Sequence, residues 1–406
     1  MEIELTRKQS PVAGTAAHAR LAGLLGFIIA VGPVSVDMYL PAFGQIGARF
    51  GSGVPQLTLA SYFAGFAVGQ LIQGLLADRF GRRAALAAGL GLFSLASLAC
   101  AAAQTGFEFC AFRALAAFGA AASVVVPRAM VRDIADGPEA GSLMSDVLLV
   151  MSVAPVVAPV LGSLLLRIAG WRVIFIVAAL YGVLCLFFVA RYLPETLGAE
   201  HRSGLGLREA AESYGRALRE PRFLVHSAIG ALGMAALFAY LAGAPTVFMT
   251  QHGVSPSVFA TLLAVLGVLM IGFFRANGWL VRRRGVSFAL GIGIVGWLLG
   301  GLALSALAWT KASSAVAIFT ALVVFVFGYS FIPSNAQVGA LSRHAERAAT
   351  ATSLMSTLQY GAGALAGALI GAFADGTMRP MAAIILACAC AAALVACIRL
   401  PADAHT

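Results

Sequence analysis

Gly74-Leu75-Leu76-Ala77-Asp78-Arg79-Phe80-Gly81, followed by Arg82 and Arg83, stands between two long apolar stretches. The same plan returns 204 residues further on as Gly278-Trp279-Leu280-Val281-Arg282-Arg283-Arg284-Gly285. In both copies a glycine leads, a charged residue stands four positions on, and a second glycine seven positions on. A second echo keeps the same order: Ser142-Leu143-Met144-Ser145 recurs as Ser353-Leu354-Met355-Ser356. Two echoes in step mark a chain built as two halves on one plan.

Composition sets the medium. Of 406 residues 60% are hydrophobic and only 11% charged, and the mean hydropathy is +0.92; a soluble surface needs about a quarter of residues charged. The chain is therefore read as an integral membrane protein. Its apolar runs fall near 21–43, 57–77, 84–103, 107–130, 142–166, 171–192, 223–250, 257–280, 286–309, 313–337, 348–374 and 378–399, twelve spans of bilayer length. They are continuously apolar, without the alternation of a transmembrane β-strand, which leaves helices as the way to satisfy the backbone in lipid. The expected fold class is all-α, with six-helix lobes at 1–192 and 223–406 joined by a polar linker at 193–222. Within that linker 207–219 has the pattern of a surface helix or a solvated loop. The first span is too long for a cleaved signal peptide and is interrupted by Asp37 and two prolines.

With a cytoplasmic N-terminus, 20 of the 27 basic residues fall on inner segments. Both termini are thus expected in the cytoplasm, and the net charge of +10 reads as a topology signal and not as a nucleic-acid footprint. The six cysteines lie in or beside apolar spans and read as small buried hydrophobes, not a metal site. There is no phosphate-cradling loop, nucleophile elbow or zincin helix, so neither an enzyme nor ATP-driven transport is expected.

An ionisable side chain at membrane depth is a functional candidate that needs a partner. Asp37 and Arg113 both stand six residues from the outer ends of their spans, about 9 Å deep at helical rise, and are expected to meet in an outer-half cavity. Desolvation favours a neutral carboxyl and a guanidinium partner favours the ionised form, so a carboxylate that changes surroundings takes up and releases a proton. The alternative is a fixed ion pair that orients two helices. Gly32-Pro33 and Pro41 flank Asp37 and predict a bent helix there. Arg275 lies near an inner span end and is expected to snorkel. Candidate cavity residues are Tyr39, Tyr62, Gln70, Tyr240, Met270, Tyr329, Asn335, Gln359 and Tyr360, an aromatic set suited to amphipathic organic molecules.

Gly74 through Arg83 resembles the loop between the second and third spans of the major facilitator superfamily, Gly-x-Leu-Ala-Asp-Arg-x-Gly-Arg-Arg. Asp37-Met38-Tyr39-Leu40-Pro41, Arg113 and Arg128-Ala129-Met130-Val131-Arg132-Asp133 resemble the Bcr/CflA group of drug:proton antiporters. Ala154, Ala158-Pro159 and Gly162-Ser163 resemble the antiporter pattern of the fifth span, with alanines and a serine in place of some glycines.

The resemblance implies the major facilitator fold, alternating access and proton-coupled efflux of small amphipathic drug-like molecules from a bacterial inner membrane. Protons are then the coupling ion, and no other cofactor, metal or nucleic acid is expected; the chain is expected to act as a monomer. It also implies an inner latch built from Gly74, Asp78, Arg79, Gly81, Arg82, Arg132 and Asp133, with Asp78 at the N-terminal end of the eleventh span near Ala348 to Ala351. Arg282 replaces Asp78 in the second copy, so the latch is expected on one side only. Ala154, Ala158 and Gly162 form a smooth stripe expected against the eighth or eleventh span, and Gly363, Gly367 and Gly371 form another. Export or symport of a metabolite such as an amino acid or sugar shares this plan; a non-transporting receptor is the remaining class.

Overall fold

The structure, a computed structural model, describes residues 15–135, 137–198, 212, 214–310, 314–341 and 348–399. Among these there is no strand. The first half runs α1 (Thr15–Ile29), α2 (Val31–Asp37), a 3-10 turn (Leu40–Ala42), α3 (Phe43–Phe50), α4 (Val54–Phe80), α5 (Arg82–Ala102), α6 (Gly106–Ile134), α7 (Gly137–Met151), α8 (Ala154–Ala169) and α9 (Trp171–Tyr192). The second runs α10 (Pro221–Pro245), a π turn (Thr246–Gln251), α11 (Pro256–Arg284), α12 (Val286–Trp309), α13 (Ala315–Ser330), α14 (Ile332–Leu341), α15 (Ala348–Ala372) and α16 (Arg379–Arg399).

Among the described residues ten helical stretches are long and apolar enough to cross a bilayer, or eleven when His18–Ile29 and Val31–Phe50 count as one span bent by 41°. That bend falls beside Gly32 and Pro33, and the chain breaks again at Met38 and Tyr39, before Pro41. The remaining long helix of the expected twelve is α15. It carries Ser353, Ser356, Thr357, Gln359 and four glycines, and that polar, small-residue composition keeps it out of the apolar set. The surface helix expected over 207–219 lies largely outside the described residues.

Helices pair in the same order in both halves. In the first, α4 packs on α6, α5 on α6 and α9, and α1 on α7; in the second, α11 packs on α13, α12 on α13 and α16, and α10 on α15. The halves meet through α4 with α15 and α8 with α11, two interfaces that exchange under the same relation. The duplicated loop has a local cause: its second glycine, Gly81 or Gly285, has φ of 94° or 84°. Only glycine enters that region without strain, and it turns the chain from one helix directly into the next.

The described hydrogen bonds between the halves gather away from the arginine-rich end. Thr246 donates to the Gln56 side-chain oxygen at 3.1 Å, while the Gln56 amide donates to the carbonyls of Ser52 and Gly53. Ser163 donates to Ser257 at 3.3 Å. Nearer the middle, Thr357 donates to the Ala67 carbonyl at 3.2 Å, and the rings of Phe63 and Phe238 stack in parallel.

Candidate functional site

Between the halves lies a cavity of about 250 Å³. The broken first span contributes Gly32, Pro33 and Asp37; α4 contributes Tyr62, Phe63 and Phe66; α6 contributes Val124 and Arg128. Met151, Pro155 and Pro159 complete the first-half wall, facing Phe238, Tyr240, Met270 and Tyr360 from the second. Asp37 ends α2 because the chain cannot continue helically through the following turn. Its carboxylate is thereby set at a helix end that opens onto the cavity.

Five expected cavity residues stand elsewhere. Tyr39 is fully buried within the first half, donates to the Pro55 carbonyl at 2.6 Å and shares a short hydrogen bond with Thr58. Gln70 is buried on α4, with Nε2 unpartnered. Tyr329 donates to the Met234 sulfur at 3.8 Å. Asn335 donates to Asn277 Oδ1 at 2.8 Å and to the Phe331 carbonyl, inside a network that Asn277 extends to Ser334. Gln359 faces Gly230. Each side chain turned from lipid, but towards its neighbours in a helix bundle and not towards the cavity. Tyr62, Tyr240, Met270 and Tyr360 do line it.

Arg113 is 1% exposed and forms no ion pair with Asp37 among the described residues. Its guanidinium lies 4.8 Å from the ring of Tyr39, 4.3 Å from Tyr62 and 5.6 Å from Phe175, an aromatic box that stabilises a cation through ring quadrupoles. Nη1 donates to the Ser35 hydroxyl at 3.1 Å and to its carbonyl at 3.4 Å. Nε and Nη2 have no partner, so the expected meeting of Asp37 and Arg113 is replaced by a contact to Ser35, two residues earlier on α2. Arg275 is exposed.

At the arginine-rich end, Arg82 donates to Asp133 at 3.0 Å and makes a short contact to Asp78. Asp78, Arg82, Arg132, Asp133 and Gly74 line one recess with Tyr214 and Ser353. Ser353 belongs to α15, so Asp78 lies toward that helix one turn beyond Ala348 to Ala351, and the side chains of 348–350 lie outside the described residues. Arg79 is exposed beside Phe80, and Arg282 is exposed.

Sequence reading missed Glu195. It accepts from the backbone N–H groups of Arg82 at 2.8 Å, Arg83 at 3.2 Å and Leu197 at 3.1 Å, capping the N-terminus of α5, while Thr196 donates to Asp133 at 2.9 Å. A carboxylate there answers both the orphan donors and the helix dipole. Replacing Glu195 by Ala is expected to destabilise the protein by about 1–2 kcal/mol, read as a lowered thermal midpoint in detergent; an unchanged midpoint rejects the cap.

The small residues of the fifth span serve two partners. Gly267 of α11 approaches the Pro155 backbone and the Val156 side chain, so the fifth span packs across the halves at residues beside the expected stripe. Gly162 instead lies against Met38, in its own half. On α15, Gly363 faces Phe238, Gly367 faces Ala60 and Gly371 faces Gln56.

Residues 25–368 match the Major Facilitator Superfamily. The chain is 30% identical over 372 residues to an uncharacterized transporter of that superfamily, YdgK of Bacillus subtilis, covering 90% of this chain and 91% of that one. It is 30% identical over 372 residues to a bicyclomycin resistance protein homolog of Haemophilus influenzae, covering 90% and 92%. It is also 31% identical over 325 residues to a chloramphenicol resistance protein of Pseudomonas aeruginosa, covering 79% and 76%. Its fold superposes on the Escherichia coli xylose transporter XylE with a TM-score of 0.73 at 16% identity, covering 96% and 98% of the two chains. A bacterial homolog of the lysosomal transporter Spinster gives 0.72 at 16%, covering 94% and 97%. With its paired halves and continuous match, the chain belongs to the major facilitator superfamily, a family of multi-span membrane transporters and not of enzymes.

Proposed function

We propose that this protein is a proton-driven exporter of small amphipathic drug-like molecules, acting as a monomer in a bacterial inner membrane with its arginine-rich end in the cytoplasm. The observation that carries the reading is Asp37: a carboxylate at a helix break, open to an aromatic cavity between the two halves. The names of its relatives, resistance proteins for bicyclomycin and chloramphenicol, support the substrate class. The halves rock about the cavity in alternating access. In one state Asp37 faces the cavity and holds a proton; in the other, α2 shifts by part of a turn, Ser35 leaves Nη1 of Arg113 and Asp37 reaches the guanidinium, whose Nε and Nη2 are otherwise unpartnered. The guanidinium then favours the ionised form and the proton leaves. Asp78, Arg82, Arg132 and Asp133 form the cytoplasmic gate.

Everted vesicles from a pump-deficient bacterium expressing the chain test this directly. With an acid lumen, radiolabelled chloramphenicol and fluorescent amphiphiles are expected to accumulate inside and to leak out when an uncoupler collapses the gradient. Accumulation only when the external medium is the acid side turns the reading to symport of a metabolite.

A further inference from the structure

Arg128 has no place in that proton cycle, yet it lines the same cavity as Asp37. It stands one turn beyond Val124 on α6 and 15 residues past Arg113, about 22 Å further along the helix axis. The two arginines thus do different work. Arg113 is sealed among aromatic rings, whereas Arg128 is half-buried on the cavity wall. Among the described residues Arg128 makes no ion pair. Among the described residues it makes no hydrogen bond or ring contact either, and it shares the cavity wall with Tyr360.

A guanidinium inside the membrane without a carboxylate is expensive. It presents a planar fork of N–H donors that fits carboxylate and other two-oxygen groups, two bonds at once. The charge balance points the same way. Asp37 and Arg128 are the charged residues of the cavity lining, so its net charge is zero when Asp37 is ionised and +1 when Asp37 holds a proton. In neither state is it negative. A lipophilic cation meets repulsion at Arg128 in both states, opposed at Asp37 only while that carboxylate is ionised. An aromatic molecule with an anionic or strongly accepting end is met by a cation at Arg128 and by the rings of Tyr62, Phe66, Phe238 and Tyr360.

We infer that Arg128 is the substrate anchor, and that the transported class is aromatic amphiphiles carrying a carboxylate or comparable two-oxygen acceptor, with permanent lipophilic cations excluded. The inference rests on the exporter reading for its protonation states of Asp37, and names the substrate class of that site.

Binding to the purified full chain, measured by isothermal titration without any gradient, tests it with three probes of one shape: 1-naphthoate, 1-naphthamide and 1-naphthylmethylammonium. The wild type is expected to bind the anion at least about tenfold more tightly than the ammonium, a difference of about 1.4 kcal/mol. Arg128→Gln is expected to weaken the anion by about tenfold and to leave the neutral amide within about threefold. Arg128→Lys, which keeps the charge and loses the fork, falls between. A wild type that prefers the ammonium, one that binds none of the probes, or an Arg128→Gln protein that keeps full affinity for the anion overturns the inference. Should Arg128→Gln not purify as a monodisperse protein, the wild-type order and the Arg128→Lys titration decide. Because no proton gradient enters, failure of coupled export in vesicles leaves these titrations intact, and loss of the anion preference leaves the vesicle result intact.

Discussion

Asp37→Asn is expected to abolish gradient-driven accumulation in everted vesicles while leaving substrate binding within a few-fold of wild type. The amide keeps the size of the carboxyl group and its place at the end of α2, but it cannot carry a proton. The size of the effect follows from what one proton supplies. Moving one charge through 100 mV is worth about 2.3 kcal/mol, and one pH unit adds about 1.4 kcal/mol. For an uncharged substrate such as chloramphenicol, one proton per molecule makes these sum to about 3.7 kcal/mol, a limiting concentration ratio of about 500-fold. With that substrate the Asn variant should fall to a ratio of one, whatever the imposed gradient, because binding and rocking without proton exchange only equilibrate it. Asp37→Glu, which restores an acid at the same helix end, should recover part of the accumulation. Uncoupler-sensitive accumulation by Asp37→Asn would place the coupling proton elsewhere and sink the exporter cycle drawn here.

The architecture was legible because lipid leaves so few options: continuous apolar runs of bilayer length become helices, and the echo around Gly81 and Gly285 divides them in two. Facing was much less legible. In a soluble helix the apolar stripe fixes which side is buried; in a membrane helix both lipid and protein interior accept apolar residues, so the stripe vanishes. A polar residue such as Asn335 avoids lipid equally well by turning into its own bundle, to Asn277, or into the cavity, and hydropathy does not separate the two. Tyr39 went the same way: the motif around Asp37 drew it toward the cavity, whereas the break at Met38 rotates successive residues apart and sends its hydroxyl to Thr58 and Pro55.

Arg128 and Glu195 were missed for another reason. Arg128 had a sufficient explanation already, as one more basic charge at a cytoplasmic span end. The signal that it faces the cavity is its four-residue spacing from Val124, visible only once α6 is fixed in rotation by its packing on α4 and α5. Glu195 caps a helix that begins 113 residues earlier, and no local pattern announces a partner at that distance. Its position ties the end of α9 to the loop between α4 and α5, so the duplicated loop is held by a residue outside both copies. In the second copy Arg282, which stands where the first has Asp78, is exposed.

Gly162→Ala is expected to be among the most damaging single methyl additions in the protein. A Cβ at this position would stand 1.9 Å from the Met38 carbonyl oxygen, 2.7 Å from its carbon and 3.0 Å from its Cα. All three are backbone atoms, so no rotamer change relieves the overlap. Either α8 or the break after α2 must move, and overpacking of this kind costs about 1–3 kcal/mol, more where backbone must shift. The displaced element carries Asp37 one residue away, so stability and transport should fail together. Gly91 in α5 is the matched control, since nothing lies within 4 Å of a Cβ there. Adding a methyl at Gly91 should be neutral or stabilising by about 0.5–1 kcal/mol, as expected of a glycine removed from a helix interior. Melting in detergent and vesicle accumulation measured on both variants separate the outcomes. A lowered midpoint and lost accumulation for Gly162→Ala alone mean that the glycine is there to admit the Met38 carbonyl and hold the coupling carboxylate. Equal behaviour of the two variants would mean that the first span tolerates movement at its break, and that Asp37 is not held there by the fifth.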